Sequence, residues 1–205
     1  NLSILGMGIS GEQSKGKCRD FYAANAYVGL GTMFGGMNDR SAMPSKPGVD
    51  DKFLKLTLDA AHVVNLGNCS LILRGSGQWA NEVLAVGEKF AIGGADSVRG
   101  YPQSEYLGDK GYNLSAEFRT PILPGNFKIN KYAQWAFFID YGGVDLEEPL
   151  PGEESSTTLA GYGAGIRLFY GDHFDLRFDA GFPIEGDEPS DGGSYHYYVQ
   201  GTLRF

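Results

Sequence analysis

The chain contains few of the residues on which enzymes, metalloproteins and nucleic-acid-binding proteins usually depend. Its 205 residues include only two cysteines and three histidines, and His62, His173 and His196 are isolated, without a metal-ligand spacing. Acidic residues outnumber basic ones by 25 to 17, whereas a nucleic-acid-binding protein normally carries a basic face. The sequence therefore predicts no catalytic residue, no metal, no cofactor and no nucleic-acid partner.

Long apolar runs are also missing. No segment approaches the roughly 18–20 apolar residues of a membrane-spanning helix, and no segment shows a helical period of apolar residues. These absences do not exclude a membrane barrel, because every second residue of a barrel strand faces a polar lumen and no long apolar run is needed. The two cysteines, Cys18 and Cys69, are too few for a disulfide scaffold, and the sequence leaves open whether they pair.

The chain is instead rich in glycine, aromatic residues and two-residue alternation. Glycine occurs 31 times, and aromatic residues make up 13% of the chain. Apolar and polar residues alternate along about nine segments of roughly 8–13 residues, the first two of them near 2–9 and 20–33. A tilted strand needs about 9–11 residues to cross a bilayer. In the clearest case, residues 195–205, the polar face includes His196, Tyr198 and Arg204.

The links between these segments alternate in length. The short and intermediate links are 65–68, 171–173 and 123–130, and the long polar ones are 34–52, 81–111, 144–158 and 184–194. Outer-membrane barrels have short periplasmic turns and longer external loops. We therefore predict an all-β fold, an antiparallel up-and-down transmembrane β-barrel, with the long links external. A soluble β-sandwich would show the same periodicity, with its apolar faces forming the core instead of meeting lipid.

One stretch, residues 93–121, and the strand after it carry a recognisable motif. The residues are Gly93-Gly94, Ser97-Val98-Arg99-Gly100-Tyr101, Gly108-Asp109, Ser115-x-Glu117-x-x-x-Pro121 and Phe138-Ile139-Asp140-Tyr141-Gly142. They resemble the sixth external loop, with its VRGY/F motif, and the following strands of the two-partner secretion transporters (TpsB). That family includes the haemolysin secretion/activation proteins and lies within the POTRA-plus-barrel superfamily. The terminal Phe205 resembles the signal read by the barrel-assembly machinery.

The resemblance implies what kind of segment this is. Residues 1–205 would be the C-terminal part of an outer-membrane β-barrel domain, with about nine of the family's sixteen strands. Because the chain opens inside a strand-like pattern, we expect the POTRA domains and the first half-barrel to be absent from it. The segment at about 81–111 would fold inward, and the alternating Gly161, Gly163 and Gly165 would make room for it in the lumen.

The resemblance also assigns roles to single residues. Arg99, within Val98-Arg99-Gly100-Tyr101, is expected to meet an acidic residue on the inner wall. Asp140 lies on the polar face of its strand, as this role requires, and Glu117 is the second candidate. Arginine suits the role because its planar guanidinium can bind a carboxylate through two hydrogen bonds. Taken by itself, Arg99 could also be a solvated loop charge, or a lock that helps the barrel to fold rather than a latch for transport.

The function implied by the resemblance is transport of an unfolded, strand-rich exoprotein through the bacterial outer membrane, without nucleotide hydrolysis or enzymatic activity. The implied partners are the secreted exoprotein, the barrel-assembly machinery during biogenesis, and outer-membrane lipid. A barrel-assembly insertase of the same superfamily is the first alternative. A soluble β-sandwich binding protein is the second.

Overall fold

The computed structural model describes residues 2–31, 33, 49, 51–171, 173–184 and 188–204, and most of these lie in β-strands. Nine long strands form one sheet: β1 (Ile4–Lys15), β2 (Cys18–Gly29), β3 (Leu54–Leu66), β4 (Cys69–Ala80), β7 (Lys110–Pro121), β8 (Ala133–Asp145), β9 (Ser156–Tyr170), β10 (Phe174–Pro183) and β11 (His196–Leu203). Two short strands, β5 (Phe90–Ile92) and β6 (Tyr106–Gly108), form a separate ribbon within the link 81–111.

The large sheet follows the order of the chain. Its strand order is β1-β2-β3-β4-β7-β8-β9-β10-β11, so each strand pairs with the next one along the chain once the ribbon is set aside. All of these pairs are antiparallel, which confirms the predicted up-and-down arrangement. In the part of the chain described, β1 and β11 are the two edges of an open sheet.

The part of the chain that the structure describes contains little helix. The helices that lie wholly within it are single 3₁₀ turns at Val86–Glu88 and Lys128–Lys131. None of the described helices has the length and apolarity needed to cross a membrane.

The first two strands differ from the prediction. The alternation predicted strands near 2–9 and 20–33, but β1 continues to Lys15 and β2 begins at Cys18. The run Glu12-Gln13-Ser14-Lys15 is polar on both faces, so the alternation fades there although backbone pairing with β2 continues. The tight turn between the strands places Gly16 at φ +62°, in the left-handed region that glycine favours.

On β7 to β10, the polar face of the sheet is the buried one. On β7 and β8, Glu117 and Asp140 are 0% and 1% exposed, whereas the apolar Leu114 and Ile139 on the same strands are 53% and 55% exposed. A soluble sandwich would bury the apolar residues instead. This inverted burial is typical of a membrane barrel, in which apolar side chains meet lipid and polar ones face the lumen.

The polar face of β7 to β10 is covered by residues 81–111, which we call the motif loop. Its buried apolar side chains pack against the wall in two clusters. These clusters are Ile92, Val98, Tyr101, Val144 and Leu159, and Phe53, Ala80 and Leu84. The loop therefore supplies much of the core of the described chain, and it carries the motif into that core.

Candidate functional site

The tip of the motif loop, Val98-Arg99-Gly100-Tyr101, is buried. Val98 and Tyr101 are fully buried, and the Arg99 side chain is 2% exposed. Gly100 has φ +113°, and a Cβ at this position would lie 2.7 Å from the carbonyl carbon of Phe182. The tip therefore needs glycine both for its backbone conformation and for its close approach to β10.

Gly93 and Gly94 pack against the motif loop itself rather than against the barrel wall. Their φ angles are +96° and +102°, and a Cβ on Gly93 would lie 2.7 Å from the carbonyl oxygen of Pro102. The loop doubles back here, because the Gly94 N–H donates to the Val98 carbonyl at 3.1 Å. The two glycines therefore shape the loop before it reaches the wall.

Arg99 binds Asp140 through a bidentate pair. Its Nε lies 2.7 Å from Asp140 Oδ2 and its Nη2 lies 2.8 Å from Oδ1. The Arg99 backbone N–H also donates to Oδ2 at 3.2 Å, and the Ser115 hydroxyl donates to Oδ1 at 2.6 Å. The structure thus brings together the arginine and the first of its two candidate partners, with β8 supplying the carboxylate.

The second candidate, Glu117, contacts the same guanidinium. Arg99 Nη1 lies 2.9 Å from Glu117 Oε2 and 3.2 Å from Asp179 Oδ2. Glu117 comes from β7 and Asp179 from β10, so three strands of the wall present carboxylates to one arginine. The two candidates are therefore joint partners rather than alternatives.

Three further arginines surround these carboxylates. Arg167 donates to Glu117 Oε2 at 2.6 Å and to Asp179 Oδ1 at 2.5 Å. Arg119 donates to Glu117 at 2.7 Å, and Arg177 donates to Asp179 at 2.5 Å. Glu117 and Asp179 thus each have two arginine partners besides Arg99.

Asp140 differs from the other two carboxylates. Among the described residues, Arg99 is its only ion-pair partner. The motif arginine is therefore the one cation in this part of the chain that neutralises Asp140, which is 1% exposed. This asymmetry makes Asp140 the carboxylate that depends most on the position of the motif loop.

Small and aromatic residues of β8 and β9 shape the space around Arg99. The guanidinium carbon lies 3.4 Å from the centroid of the Phe138 ring, which gives a cation–π contact. A Cβ on Gly163 would lie 2.4 Å from that ring, and a Cβ on Gly161 would lie 1.9 Å from the Arg99 carbonyl oxygen. Both glycines therefore make room at the tip, as predicted, whereas Gly165 makes room for the carboxylate of Asp179.

The surroundings of Arg99 favour its charged form. Burial alone would lower the pKa of Arg99, but hydrogen bonds to Asp140 and Glu117, with the charge of Asp179, raise it above its usual value. Arg99 therefore remains a cation at any pH that a bacterium meets.

A second set of buried charges holds the base of the motif loop. Lys89 Nζ lies 2.8 Å from Asp109 Oδ1, and both side chains are almost fully buried. Asp109 also accepts hydrogen bonds from the Leu84 N–H at 2.8 Å and from the Glu147 N–H at 2.9 Å. Asp109, part of the Gly108-Asp109 pair in the motif, therefore ties both ends of the loop to the next long link.

Sequence reasoning missed several residues of this site: Asp179, Arg167, Arg119, Arg177, Tyr198 and His196. All six lie on the polar faces of strands that follow the motif loop. This is the same property that identified Asp140, so the signal was present, but the alternation does not tell which polar residues converge on the tip.

The remaining predictions concern the last residue, the two cysteines and a metal. Phe205 falls outside the described residues. Cys18 and Cys69 are free thiols on β2 and β4, and β3 lies between these strands. Strands two apart are about 9–10 Å from each other, too far for a disulfide. No group of residues suited to hold a metal occurs in the described ranges.

Residues 1–168 match the protein family described as haemolysin secretion/activation protein ShlB/FhaC/HecB. CdiB from Escherichia coli has a similar structure, with a TM-score of 0.70 and 20% sequence identity over 98% of this chain. BamA from Haemophilus ducreyi lacking POTRA domains 1-3 has a TM-score of 0.61 and 16% identity over 90% of this chain. This chain spans 36% of that CdiB chain and 42% of that BamA chain. No functionally curated protein is significantly similar in sequence.

At these identities the two structural likenesses concern the fold alone. They agree with the predicted barrel segment and, together with the inverted burial, exclude a soluble sandwich. The family match covers most of the chain and includes the motif loop with β7 and β8. The chain therefore belongs to the haemolysin secretion/activation protein family ShlB/FhaC/HecB, which confirms the family predicted from the sequence and its localisation in the bacterial outer membrane.

Proposed function

We propose that the full-length protein carries an unfolded, strand-rich exoprotein through the outer membrane, and that this chain is the C-terminal part of its barrel. The observation that carries the proposal is the position of Arg99. This single arginine of the motif loop lies buried on the polar face of the sheet, held by carboxylates from β7, β8 and β10. The proposal also rests on the family to which the chain belongs.

A transport lumen has to hold its inner loop in a defined place while offering a polar surface to a moving polypeptide. Directional hydrogen bonds between arginine and carboxylate specify the position of the loop. Desolvation of the buried charges offsets most of their mutual attraction, so the net stabilisation of such a network is small. The arginine network therefore specifies where the loop lies while adding little to the free energy that opposes its displacement, which suits a latch.

The network borders a polar cavity. The cavity has a volume of about 320 Å³, and its lining includes Arg74, Asn113 and Arg119. These side chains can form hydrogen bonds with the backbone of an extended polypeptide, which in an unfolded substrate has no internal partners. These polar groups favour contact with an extended polypeptide over binding of a compact apolar ligand.

The proposed latch is tested by replacing Arg99 with alanine in the full-length gene product, expressed together with its exoprotein. Secretion per folded barrel should fall roughly fivefold or more, the factor that corresponds to about 1 kcal/mol, while heat-modifiable barrel remains detectable in the outer membrane. The matched control is Arg19→Ala, because the Arg19 side chain is 57% exposed and pairs only with Glu12 among the described residues. Secretion at the wild-type level from normal amounts of folded Arg99→Ala protein would contradict the proposal.

The fold likeness to BamA favours a second candidate, a barrel-assembly insertase of the same superfamily. The two functions differ in what fails when the gene is deleted. Loss of a secretion transporter should abolish export of one exoprotein, and unrelated outer-membrane barrels should fold as before. Loss of an insertase should instead lower the folded amounts of many barrels, which quantitative comparison of outer-membrane fractions would detect.

A further inference from the structure

The last strand of the sheet reaches the backbone of the loop tip. The Gly100 N–H donates to the Tyr198 hydroxyl oxygen at 2.9 Å, and the Tyr198 hydroxyl donates to the Tyr101 carbonyl at 2.6 Å. The carbonyl of Gly100 lies 2.8 Å from His196 Nδ1. Two side chains of β11 thus bind three backbone groups of the motif.

These contacts satisfy groups that the loop cannot satisfy by itself. Gly100 and Tyr101 are buried and lie outside the regular strands, so their backbone groups need partners from elsewhere. A tyrosine hydroxyl has one donor proton and can accept as well, and Tyr198 uses both capacities. Its ring could be replaced by phenylalanine without a large change in volume, but both hydrogen bonds would be lost.

His196 is held in place from its other side. Its Nε2 lies 2.9 Å from Asp191 Oδ2, and the hydrogen bond from His196 keeps the pKa of Asp191 below its usual value. A carbonyl and an ionised carboxylate can only accept, so His196 makes both bonds when each ring nitrogen carries a proton. The bond to the Gly100 carbonyl is then charge-assisted, which makes it stronger than a neutral one.

A neighbouring contact ties the same two parts of the chain. The Ser190 N–H donates to Glu105 Oε1 at 2.6 Å, and the Ser190 hydroxyl donates to Glu105 Oε2 at 2.9 Å. Glu105 belongs to the motif loop, and Ser190 lies in the link that leads into β11. The contacts at Gly100 and Tyr101 are therefore part of a continuous junction between the loop and the C-terminal end of the sheet.

We propose that Tyr198 and His196 are positioning residues that clasp the backbone of the loop tip and thereby hold Arg99 against its carboxylates. The clasp acts on backbone atoms, so it adds to the arginine network without sharing any charged group of that network. The inference rests on the proposed role of the loop as the latch of the lumen. Its test reads the position of the loop directly and needs no exoprotein.

The test uses a single reporter thiol in the full-length protein. Ser97→Cys is introduced after Cys18→Ser and Cys69→Ser, because the Ser97 hydroxyl is buried and has no hydrogen-bond partner among the described residues. Tyr198→Phe should raise the rate of labelling by a membrane-impermeant maleimide about tenfold, the factor that about 1.4 kcal/mol of lost hydrogen bonding gives. The matched control is Tyr197→Phe, the neighbouring tyrosine on the lipid-facing side of the same strand, which is 63% exposed.

His196→Leu is the second variant, since it removes the bond to Gly100 and leaves Tyr198 in place. It should also accelerate labelling, while the heat-modifiable fraction of the barrel stays equal to that of the Tyr197→Phe control. Labelling of both variants at the control rate would overturn the clasp. Failure of the unmodified protein to secrete an exoprotein would overturn the proposed transport function and leave the clasp standing.

Discussion

Replacing Arg99 by methionine removes the charge at the loop tip but keeps much of the side-chain length. Asp140 would then lie 1% exposed, with only the Ser115 hydroxyl and one backbone N–H as donors among the described residues. An uncompensated buried charge destabilises a protein by about 3–5 kcal/mol. We therefore expect Arg99→Met to lower the free energy of unfolding by about 3 kcal/mol, the lower end of that range, because the two donors remain.

A second substitution separates this cause from a general loss of contacts. Asp140→Asn removes the charge that Arg99→Met leaves unpaired, so the double variant should recover about 2 kcal/mol of the loss. Glu117→Gln in the Arg99→Met background is the matched control. It should recover nothing and should destabilise further, because Arg119 and Arg167 depend on Glu117.

The assay is unfolding of the full-length barrel in lipid vesicles by urea, with the folded fraction read from its heat-modifiable migration in gels. Midpoint and slope are fitted for the unmodified protein and for the single and double variants, and the coupling energy is taken from the double-mutant cycle. Equal recovery with Glu117→Gln and with Asp140→Asn would refute the reasoning. So would a double variant of Arg99 and Asp140 that is no more stable than Arg99→Met alone.

Two further predictions concern the space around the tip. Gly161→Ala would place a Cβ 1.9 Å from the Arg99 carbonyl oxygen and should destabilise the folded barrel by about 1–3 kcal/mol. The control Gly87→Ala has open space around its Cβ and should change the urea midpoint little. Equal urea midpoints for the two variants would disprove the steric argument. Phe138→Leu removes the ring that stacks on Arg99. In the same unfolding assay, it should lower the free energy of unfolding by about 1–2 kcal/mol more than Phe137→Leu on the lipid side does. A larger decrease for Phe137→Leu would contradict the stacking argument.

Much of the fold could be predicted because lipid and lumen impose one rule on every strand. The alternation identified nine strands and placed Asp140 and Glu117 on the same face as the later-found Asp179. It failed along residues 10–15 of β1, where both faces are polar and the backbone ladder alone maintains the strand. Where side-chain contrast is missing, two-residue periodicity carries no information.

The convergence of the site could be predicted only in part. A rule for single strands says which face a residue occupies, but not which residues from different strands meet. Arg167 binds Glu117 across the intervening strand β8, which depends on the registers of two strand pairs. Tyr198 binds main-chain atoms of Gly100 and Tyr101, and a backbone acceptor leaves no trace in a sequence pattern.

The motif loop precedes, in chain order, every strand that holds its tip. The bond from Arg99 to Asp179 spans 80 residues, and the bond from Gly100 to Tyr198 spans 98. Contacts between residues so far apart in the chain close a long span and carry an entropic cost that the strands between them help to offset by pairing with their neighbours. Arg99 therefore has its full set of partners only when β7, β8 and β10 are all in place, so burial of this arginine reports that this part of the wall has formed.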